Sequence, residues 1–322
     1  MENQETLPSL FPEIDEMEKE DILSPIRYRS YLASPFIAAA LPLRDVRKNT
    51  FERKYNNLTL TLTGKSKIPY GRYGRLLLSV LTTHAVLEKS IEDSGVVELH
   101  YNSIQDLLNE LQLPKQRGEQ IKEQLDAFAQ STFYFEERKS KETQKLLFKD
   151  FFGDNEDLNG SIKATSVSTG IVPFFDAMRY GELDEAGKKT KTVAITIVLS
   201  EKFRRLSQEH AVPIDYTTYK EINSSLGKDL YAWFIYKNNA ITEPVFISRA
   251  ALVNQFFTEK NDVAAERHNW ADLKDAIKEI KEKYYPGLNV AISKNNDGIT
   301  LSKSEPVIIN DDTRYVLISS VI

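Results

Sequence analysis

The 322-residue sequence contains no cysteine, and this absence excludes disulfide bonds and thiolate metal sites and fits a reducing compartment. It also lacks any run near the roughly 18 apolar residues that a membrane-spanning helix needs, so we expect no membrane association. The start, MENQETLPSLFPEIDEMEKED, has neither the basic segment nor the apolar segment of a secretory signal. We therefore expect a cytoplasmic protein.

Glycine and proline are scarce, at 13 and 12 residues, while 41% of the residues are hydrophobic, so the chain can bury substantial cores. At roughly 150 residues per domain, its length suggests about two domains. Residues 1–21 hold eight acids and one lysine, which leaves a net charge of +2 on the remaining 301 residues. We expect a disordered acidic tail on a slightly basic body. Such a body can bind DNA through local basic faces.

Motifs that bind triphosphates or carry catalysis are also missing. The Gly-Lys-Ser at residues 64–66 lacks the glycine that a P-loop needs five residues earlier, and the stretch 181–189 has one residue too many between its glycines. The four histidines lie far apart, so the His-x-His metal pair of a strand-nicking enzyme is absent, and no G-x-S-x-G elbow occurs. We predict no catalytic residue, no metal site and no cofactor.

The first half of the chain shows the order helix, strand, helix, turn, helix, hairpin, which is the order of a winged helix. The strand-like LTLTL at 58–62 precedes the first helix, which we place at 73–86. The second helix is capped by Ser103 and carries an i, i+3, i+4, i+7 apolar stripe, and the third follows the break at Leu113-Pro114. The segments TFYFEER and TQKLLFKDFF then predict a hairpin that serves as the wing.

The same order recurs later in the chain with negligible residue identity between the two halves. A helix over 228–238, a strand over 245–247 and a helix capped by Ser248 precede the longest helix. LNVAI and GITLS then predict a hairpin around the turn sequence NNDG at 295–298. The longest helix has apolar residues at spacings of three and four: Trp270, Leu273, Ile277, Ile280 and Tyr284.

These patterns predict an α+β fold of two tandem winged-helix domains preceded by the acidic tail. We place the tail at residues 1–40, the first winged-helix domain, with inserted loops, at 41–200, and the second at 201–322. In this kind of domain the second helix of the helix-turn-helix lies in the major groove. In the second unit that reading helix is predicted over roughly 268–284.

Polar and basic residues on the outer faces of the reading helices and wings are the DNA-binding candidates. Arginine and asparagine make bidentate contacts to guanine and adenine, whereas lysines suit phosphates. Acidic residues are interleaved among them, so an ordinary solvated helix face is the alternative. In the first unit the candidates are Lys115, Gln116, Arg117 and Gln120 at the helix N-terminus and Arg138, Lys139 and Lys141 at the wing tip. In the second unit they are Arg267, His268, Asn269, Lys274, Lys278, Lys281 and, in the wing, Lys294.

The stretch IPYGRYGR at 68–75 allows two interpretations. Its glycines and arginines either cradle a phosphate or only turn the chain into the first helix. The cradle fails because no Lys-Ser/Thr pair follows the glycines. We expect Gly71 to turn the chain after Pro69, and we leave open a contact of Arg72 or Arg75 with DNA phosphate.

Segments along the chain resemble those of the plasmid-encoded RepA replication initiators. IPYGRYGRLLLSVLTTHAV is similar to a family signature with PYG followed by RLLL, and VPIDYTTYKEI with SSLGKDLYAWFIYK resembles a second signature segment. KEKYYPGLNVAI and GITLSKSEPVI are looser matches near the end. The matches occur in the family's order over roughly residues 40–309.

The resemblance implies an initiator that binds repeated sites, or iterons, in the double-stranded DNA of a plasmid origin and helps open AT-rich DNA beside them. It also implies recruitment of host replication proteins, a DnaA-type initiator and the replicative helicase, and a homodimer that represses its own gene. The charged segment 181–191 and the arginine-poor reading helix depart from the family. A winged-helix transcriptional regulator is the alternative, and the missing His-x-His pair argues against a nuclease or relaxase.

Overall fold

The computed structural model describes residues 28–55, 58–87, 96–138, 166–183, 189–257, 263–307 and 314–315. Within these ranges the chain has an α+β fold with two tandem winged helices, as predicted. Their buried apolar side chains form one continuous cluster that runs through both units. In this part of the chain, helices long and apolar enough to span a bilayer are absent.

The predicted tail extends too far along the chain. Strand β1 (Tyr28–Ala33) and helix α1 (Ser34–Ala38) occupy its last part. The side chains of Leu32 and Phe36 are at most 4% exposed, so this segment belongs to the core. Pro35, which suggested irregular structure, lies in the first turn of α1, where a missing N–H costs nothing. Residues 1–27 lie outside the described ranges.

The next part of the chain contains the first winged helix and an inserted sheet. Its elements, in chain order, are β2 (Thr50–Tyr55), β3 (Leu58–Gly64), α2 (Gly71–Leu87), β4 (Val97–Tyr101), α3 (Ile104–Glu110), a 3-10 turn (Lys115–Arg117), α4 (Gly118–Ala129), β5 (Ser131–Arg138), β6 (Ser166–Ser168), β7 (Val172–Pro173), β8 (Phe175–Leu183) and β9 (Lys189–Leu199).

The winged helix consists of α2, β4, α3, α4, β8 and β9. Strand β9 pairs antiparallel with both β4 and β8, so the sheet has the order β4-β9-β8. The predicted cap of α3 is confirmed, since the Ser103 hydroxyl accepts a hydrogen bond from the Asp106 N–H at 3.3 Å. This places α4 as the reading helix of the first unit and the β8–β9 hairpin as its wing.

The wing predicted from TFYFEER and TQKLLFKDFF is therefore wrong. TFYFEER lies in β5, which pairs with β3 from Gly64 opposite Ser131 to Leu58 opposite Glu137. It belongs to a separate sheet of order β2-β3-β5-β6, with β7 also on β5. Alternating apolar and polar residues indicate a half-buried strand but not the sheet that it joins. TQKLLFKDFF, at 143–152, lies outside the described ranges.

Aromatic side chains fix the inserted sheet to the winged helix. The rings of Phe133 and Phe135, on β5, each lie 5.1 Å from the ring of Phe36 in edge-to-face contacts. Phe174, between β7 and β8, lies 4.8 Å from Phe133 and 4.9 Å from Phe128 of the reading helix α4. Such aromatic contacts stabilise a core beyond the area that they bury. The inserted sheet is thus part of the first unit's core.

The second half of the chain contains the linking elements and the second winged helix. Its elements are α5 (Glu201–Glu209), β10 (Ala211–Asp215), α6 (Tyr216–Glu221), α7 (Ser225–Ala240), β11 (Val245–Ser248), α8 (Arg249–Phe256), α9 (Val263–Glu279), a π-helical turn (Ile280–Tyr284), β12 (Val290–Ile292), β13 (Gly298–Leu301) and β14 (Arg314–Tyr315).

Helices α7, α8 and α9 and strands β11, β12 and β13 form the second winged helix, with the sheet order β11-β13-β12. The predicted hairpin is confirmed, because β12 pairs antiparallel with β13 across the NNDG turn. The Ser248 hydroxyl accepts from the Ala251 N–H at 3.2 Å and caps α8 as expected. Strand β1 pairs with β10 and β14, which links the start of the folded chain to its later part.

The stretch at 68–75 joins the two winged helices. The Arg75 side chain is 2% exposed, and its Nε and Nη2 donate to the two carboxylate oxygens of Asp229, each at 2.6 Å. Its other contacts are to backbone carbonyl oxygens. Arg75 lies near the start of α2 and Asp229 lies in α7, so the two most specific segments of the sequence resemblance contact each other. Arg75 therefore holds the units together and does not face DNA.

Replacing Gly71 with alanine is expected to destabilise the protein by about 1–2 kcal/mol, because Gly71 has a φ of +69° that is costly for a residue with a Cβ. Gly118→Ala is the matched control. At a φ of −54°, its new Cβ would contact only Leu108 Cδ1, at 3.7 Å. Urea unfolding of both variants measures the difference. Equal losses at the two positions would contradict a conformational requirement at Gly71.

Candidate nucleic-acid interface

The reading helix of the second unit, α9, has the predicted buried face. The side chains of Trp270, Leu273, Ile277 and Ile280 are at most 2% exposed. Helix α9 begins at Val263, before the predicted start, and continues into the π-helical turn. The buried face leaves the candidate residues at the side or on the outside of the helix.

The candidates on the first turns of α9 differ in exposure. Arg267 is exposed and Asn269 is half-buried. The His268 side chain is 77% exposed, with its Nε2 3.7 Å from an Asp272 carboxylate oxygen. Side chains near the N-terminal end of a recognition helix are those that contact base edges. This end of α9 therefore has the residue types and exposure needed for base recognition.

The candidates further along α9 have partners within the protein. Lys278 Nζ lies 4.0 Å from a Glu282 carboxylate oxygen, and Lys274 is half-buried. Lys281 Nζ donates to the Val290 carbonyl oxygen at 2.9 Å, which ties the end of the helix to β12. The positive charge of this half is thus partly compensated, and Lys281 has a structural role.

The wing is attached to α9 by the Trp270 side chain. Its indole Nε1 donates to Asn296 Oδ1, at 2.9 Å, in the turn between β12 and β13. Asn296 has a φ of +60°, a conformation that asparagine adopts more readily than most residues. The Arg249 N–H donates to the Asp297 carbonyl oxygen at 2.6 Å, which holds the same turn to α8. The position of the wing tip relative to α9 is therefore fixed.

A groove of about 480 Å³ lies between the wing turn and the first turns of α8 and α9. Arg249, Arg267, Asn295 and Asn296 line it together with Glu266. Arg249 Nε lies 3.0 Å from a Glu266 carboxylate oxygen, which orients the guanidinium. Lys294 is exposed in the adjoining turn, as predicted. The sequence analysis missed Arg249, although it directly follows the cap Ser248.

The first unit presents its predicted contacts in a short turn. Lys115 and Gln116 are exposed and Arg117 is half-buried in the 3-10 turn that precedes α4. The amide of Gln120 lies 3.2 Å from the Gln116 carbonyl oxygen and 3.3 Å from that of Arg117. Gln120 thus has local backbone partners, whereas Lys115 and Gln116 are exposed to solvent.

The outer face of α4 is more acidic than expected for a reading helix. Glu123 accepts a hydrogen bond from Lys67 Nζ at 2.5 Å, and Asp126 accepts one from the Tyr180 hydroxyl of β8 at 2.6 Å. Burial and that hydrogen bond raise the pKa of Tyr180, so the phenol keeps its proton. The wing strand therefore packs against α4.

The structure does not support the wing-tip position predicted for Arg138, Lys139 and Lys141. Arg138 ends β5, where it pairs in register with Ser166 of β6, and Lys139 and Lys141 lie outside the described ranges. Their contact with DNA stays a prediction without the wing geometry that motivated it. In the part of the chain that the structure describes, no three histidine or acidic side chains are grouped as metal ligands.

No protein-family model and no curated protein matches the chain. Among solved structures, a selenomethionine derivative of domains 2 and 3 of RctB is 14% identical with a TM-score of 0.49, and the match covers 84% of this chain and 99% of that one. A second structure of RctB domains 2–3 is 13% identical with a TM-score of 0.47, covering 83% and 94%. The Pi initiator protein in complex with iteron DNA is 13% identical with a TM-score of 0.45, covering 85% and 95%.

Proposed function

We propose that this chain is a replication initiator that binds double-stranded DNA sequence-specifically at repeated sites of a plasmid origin. The observation that carries the proposal is the N-terminal part of α9, where the exposed Arg267 lines a groove beside a wing that is fixed to the same helix, and the half-buried Asn269 follows two residues later. A helix of this kind fits the B-DNA major groove, which is about 12 Å wide. The proposed role requires binding and no catalytic step.

In the proposed complex, the two ends of α9 have different tasks. Arg267 recognises guanine O6 and N7, and Asn269 recognises adenine N6 and N7, each through two hydrogen bonds. Lys274, Lys278 and Lys294 contact phosphates, which adds affinity without sequence information. The cationic turn over 115–117 contacts the backbone from the first unit, since helix N-termini favour phosphates.

The sequence resemblance supports further features of the proposed function. The binding sites are plasmid iterons, and the protein helps open neighbouring AT-rich DNA and recruits a DnaA-type initiator and the replicative helicase of the host. The protein also forms a homodimer that represses its own promoter. The segments at 68–86 and 212–237 support them, since these have the most specific likeness to the RepA initiators.

Two substitutions in α9 are expected to distinguish base recognition from phosphate binding. Arg267→Ala should cost about 1–3 kcal/mol on the preferred sequence and little on unrelated duplexes. Lys278→Ala should weaken binding to all sequences by a similar factor and reduce the slope of log K against log salt by about 1. Fluorescence anisotropy across salt concentrations measures both. If neither variant differed from the parent protein, α9 would not be the reading helix.

The preferred sequence is obtained by selection from a random duplex library at low salt. The enriched motif is then located in the DNA that neighbours the gene. Direct repeats of the motif beside an AT-rich stretch support a replication initiator. A single inverted repeat near a promoter would favour the transcriptional regulator instead. Failure to enrich any motif would contradict sequence-specific binding.

A further inference from the structure

A second groove, of about 190 Å³, lies where the two winged helices meet. It is bordered by the start of α2, the turn between α3 and the 3-10 turn, the end of α6 and the start of α7. The polar residues that line it are Arg72, Gln112, Lys220, Glu221, Asn223 and Lys228. This junction groove therefore contains residues of both units and is separate from the groove beside the second wing.

The cations of the junction groove are oriented by neutral groups. Arg72 Nη1 donates to Asn223 Oδ1 at 2.9 Å, and its Nη2 donates to the Tyr73 hydroxyl at 2.6 Å. Lys220 Nζ donates to Gln112 Oε1 at 2.8 Å. Among the described residues, neither cation forms an ion pair with a carboxylate. Both side chains therefore border the open space with neutral hydrogen-bond partners only.

The Lys228 side chain lies at the base of the groove. It is fully buried, and its Nζ donates to the carbonyl oxygens of Tyr219 and Lys220. Burial lowers the pKa of Lys228, and the nearby charges of Arg72, Arg75 and Lys220 lower it further, against the opposing effect of Asp229. The cations that line the open part of the groove are therefore Arg72 and Lys220, with the Lys228 amino group beneath them as a hydrogen-bond donor.

Three cations at contacts elsewhere in the fold are paired with acids. Lys67 pairs with Glu123, Arg75 with Asp229 and Arg249 with Glu266, at 2.5, 2.6 and 3.0 Å. Arg72 and Lys220 differ from these three, because their partners in the junction groove are neutral. The one acid of the junction groove, Glu221, is exposed and is not within ion-pair distance of Arg72, Lys220 or Lys228 in the part of the chain described here.

We propose that the junction groove binds one phosphate of the DNA backbone, held by Arg72 and Lys220 over the buried Lys228. The position of the groove favours DNA as the source, because Gln112 lies in the helix-turn-helix of the first unit and its turn leads to the exposed Lys115 and Gln116. Helix-turn-helix proteins contact the DNA backbone beside the reading helix. The inference rests on the proposed function and adds a phosphate contact to which both winged helices contribute.

The test compares the parent protein with Lys220→Gln, Arg72→Gln and the control Lys202→Gln on a selected duplex and on an unrelated one. Lys202 is an exposed lysine of α5, and α5 packs near the far end of α2, where Gln208 bonds to Ala85. Each groove variant is expected to weaken binding to both duplexes equally and to reduce the salt slope by about 1. Lys202→Gln should leave the slope of log K against log salt unchanged. Lys220→Arg, which keeps the positive charge, should have the slope of the parent protein. Urea unfolding checks that each variant is folded.

Lysine acetylation, measured by mass spectrometry, locates the contact in the protein without any substitution. Duplex DNA should protect Lys220 and leave Lys202 reactive. DNA binding with an unchanged salt slope and a reactive Lys220 would overturn the junction contact and leave the proposed function standing. If inorganic phosphate protected Lys220 while no duplex bound, the groove would be a site for free anions, and both proposals on DNA would fail.

Discussion

Asp229→Ala is expected to lower the free energy of unfolding by about 3–5 kcal/mol, because it leaves buried cations without their carboxylate. Arg75 donates to both oxygens of Asp229, and Arg53 Nη1 lies 3.9 Å from one of them. Arg53 and Arg75 are each 2% exposed, so water cannot replace the lost charge. Burial already lowers the pKa of Arg53 to about 10 in the presence of Asp229.

The control for this prediction is Asp272→Ala, which removes the same group from an exposed pair. The Asp272 side chain is 46% exposed, and its oxygen lies 3.7 Å from His268, so the expected loss is at most about 1 kcal/mol. Replacing Arg75 and Asp229 together by apolar residues should restore part of the stability, since the double change leaves a smaller uncompensated charge. Urea unfolding measures all three. Equal losses for Asp229→Ala and Asp272→Ala would contradict a buried pair that joins the two units.

Trp270→Ala is expected to cost about 3–5 kcal/mol by opening a cavity in the second unit. The Trp270 side chain is 1% exposed, and it also holds the wing turn through Asn296. The variant should therefore lose both stability and specific DNA binding. Urea unfolding and anisotropy on the selected duplex measure the two effects.

Trp270→Phe distinguishes packing from attachment of the wing. Phenylalanine keeps most of the ring volume and removes the indole donor to Asn296. We expect a smaller loss of stability than with alanine and a clear loss of preference for the selected duplex, because the wing tip is released. A phenylalanine variant with full preference would show that the Trp270–Asn296 hydrogen bond does not position the wing.

The second winged helix was predictable because its signals are local. The spacing of Trp270, Leu273, Ile277 and Ile280 identifies one buried helix face, and the NNDG sequence identifies the turn of the wing. Both features depend on residues that are close in sequence. The exposure of Arg267 follows from the same spacing, so this candidate was also accessible to sequence reasoning.

The first wing was not predictable, because three strands of a separate sheet, β5, β6 and β7, come between α4 and β8. The apolar alternation of 131–138 fits β5 in that sheet as well as a wing strand. The function of Arg75 was hidden for a similar reason. Its partner Asp229 is 154 positions away in the sequence, and no local pattern reports such a pairing. Long-range contacts therefore limited both the fold and the site predictions.

Guanine methylation protection on the selected duplex tests the proposed recognition most directly. With the parent protein, we expect protection of guanine N7 at one or more positions in each repeat, because Arg267 occupies that edge of the base in the major groove. With Arg267→Ala, that protection should disappear while sugar-phosphate protection by hydroxyl-radical footprinting persists. No protection at low salt, or guanine protection that is unchanged in Arg267→Ala, would contradict reading of the major groove by α9.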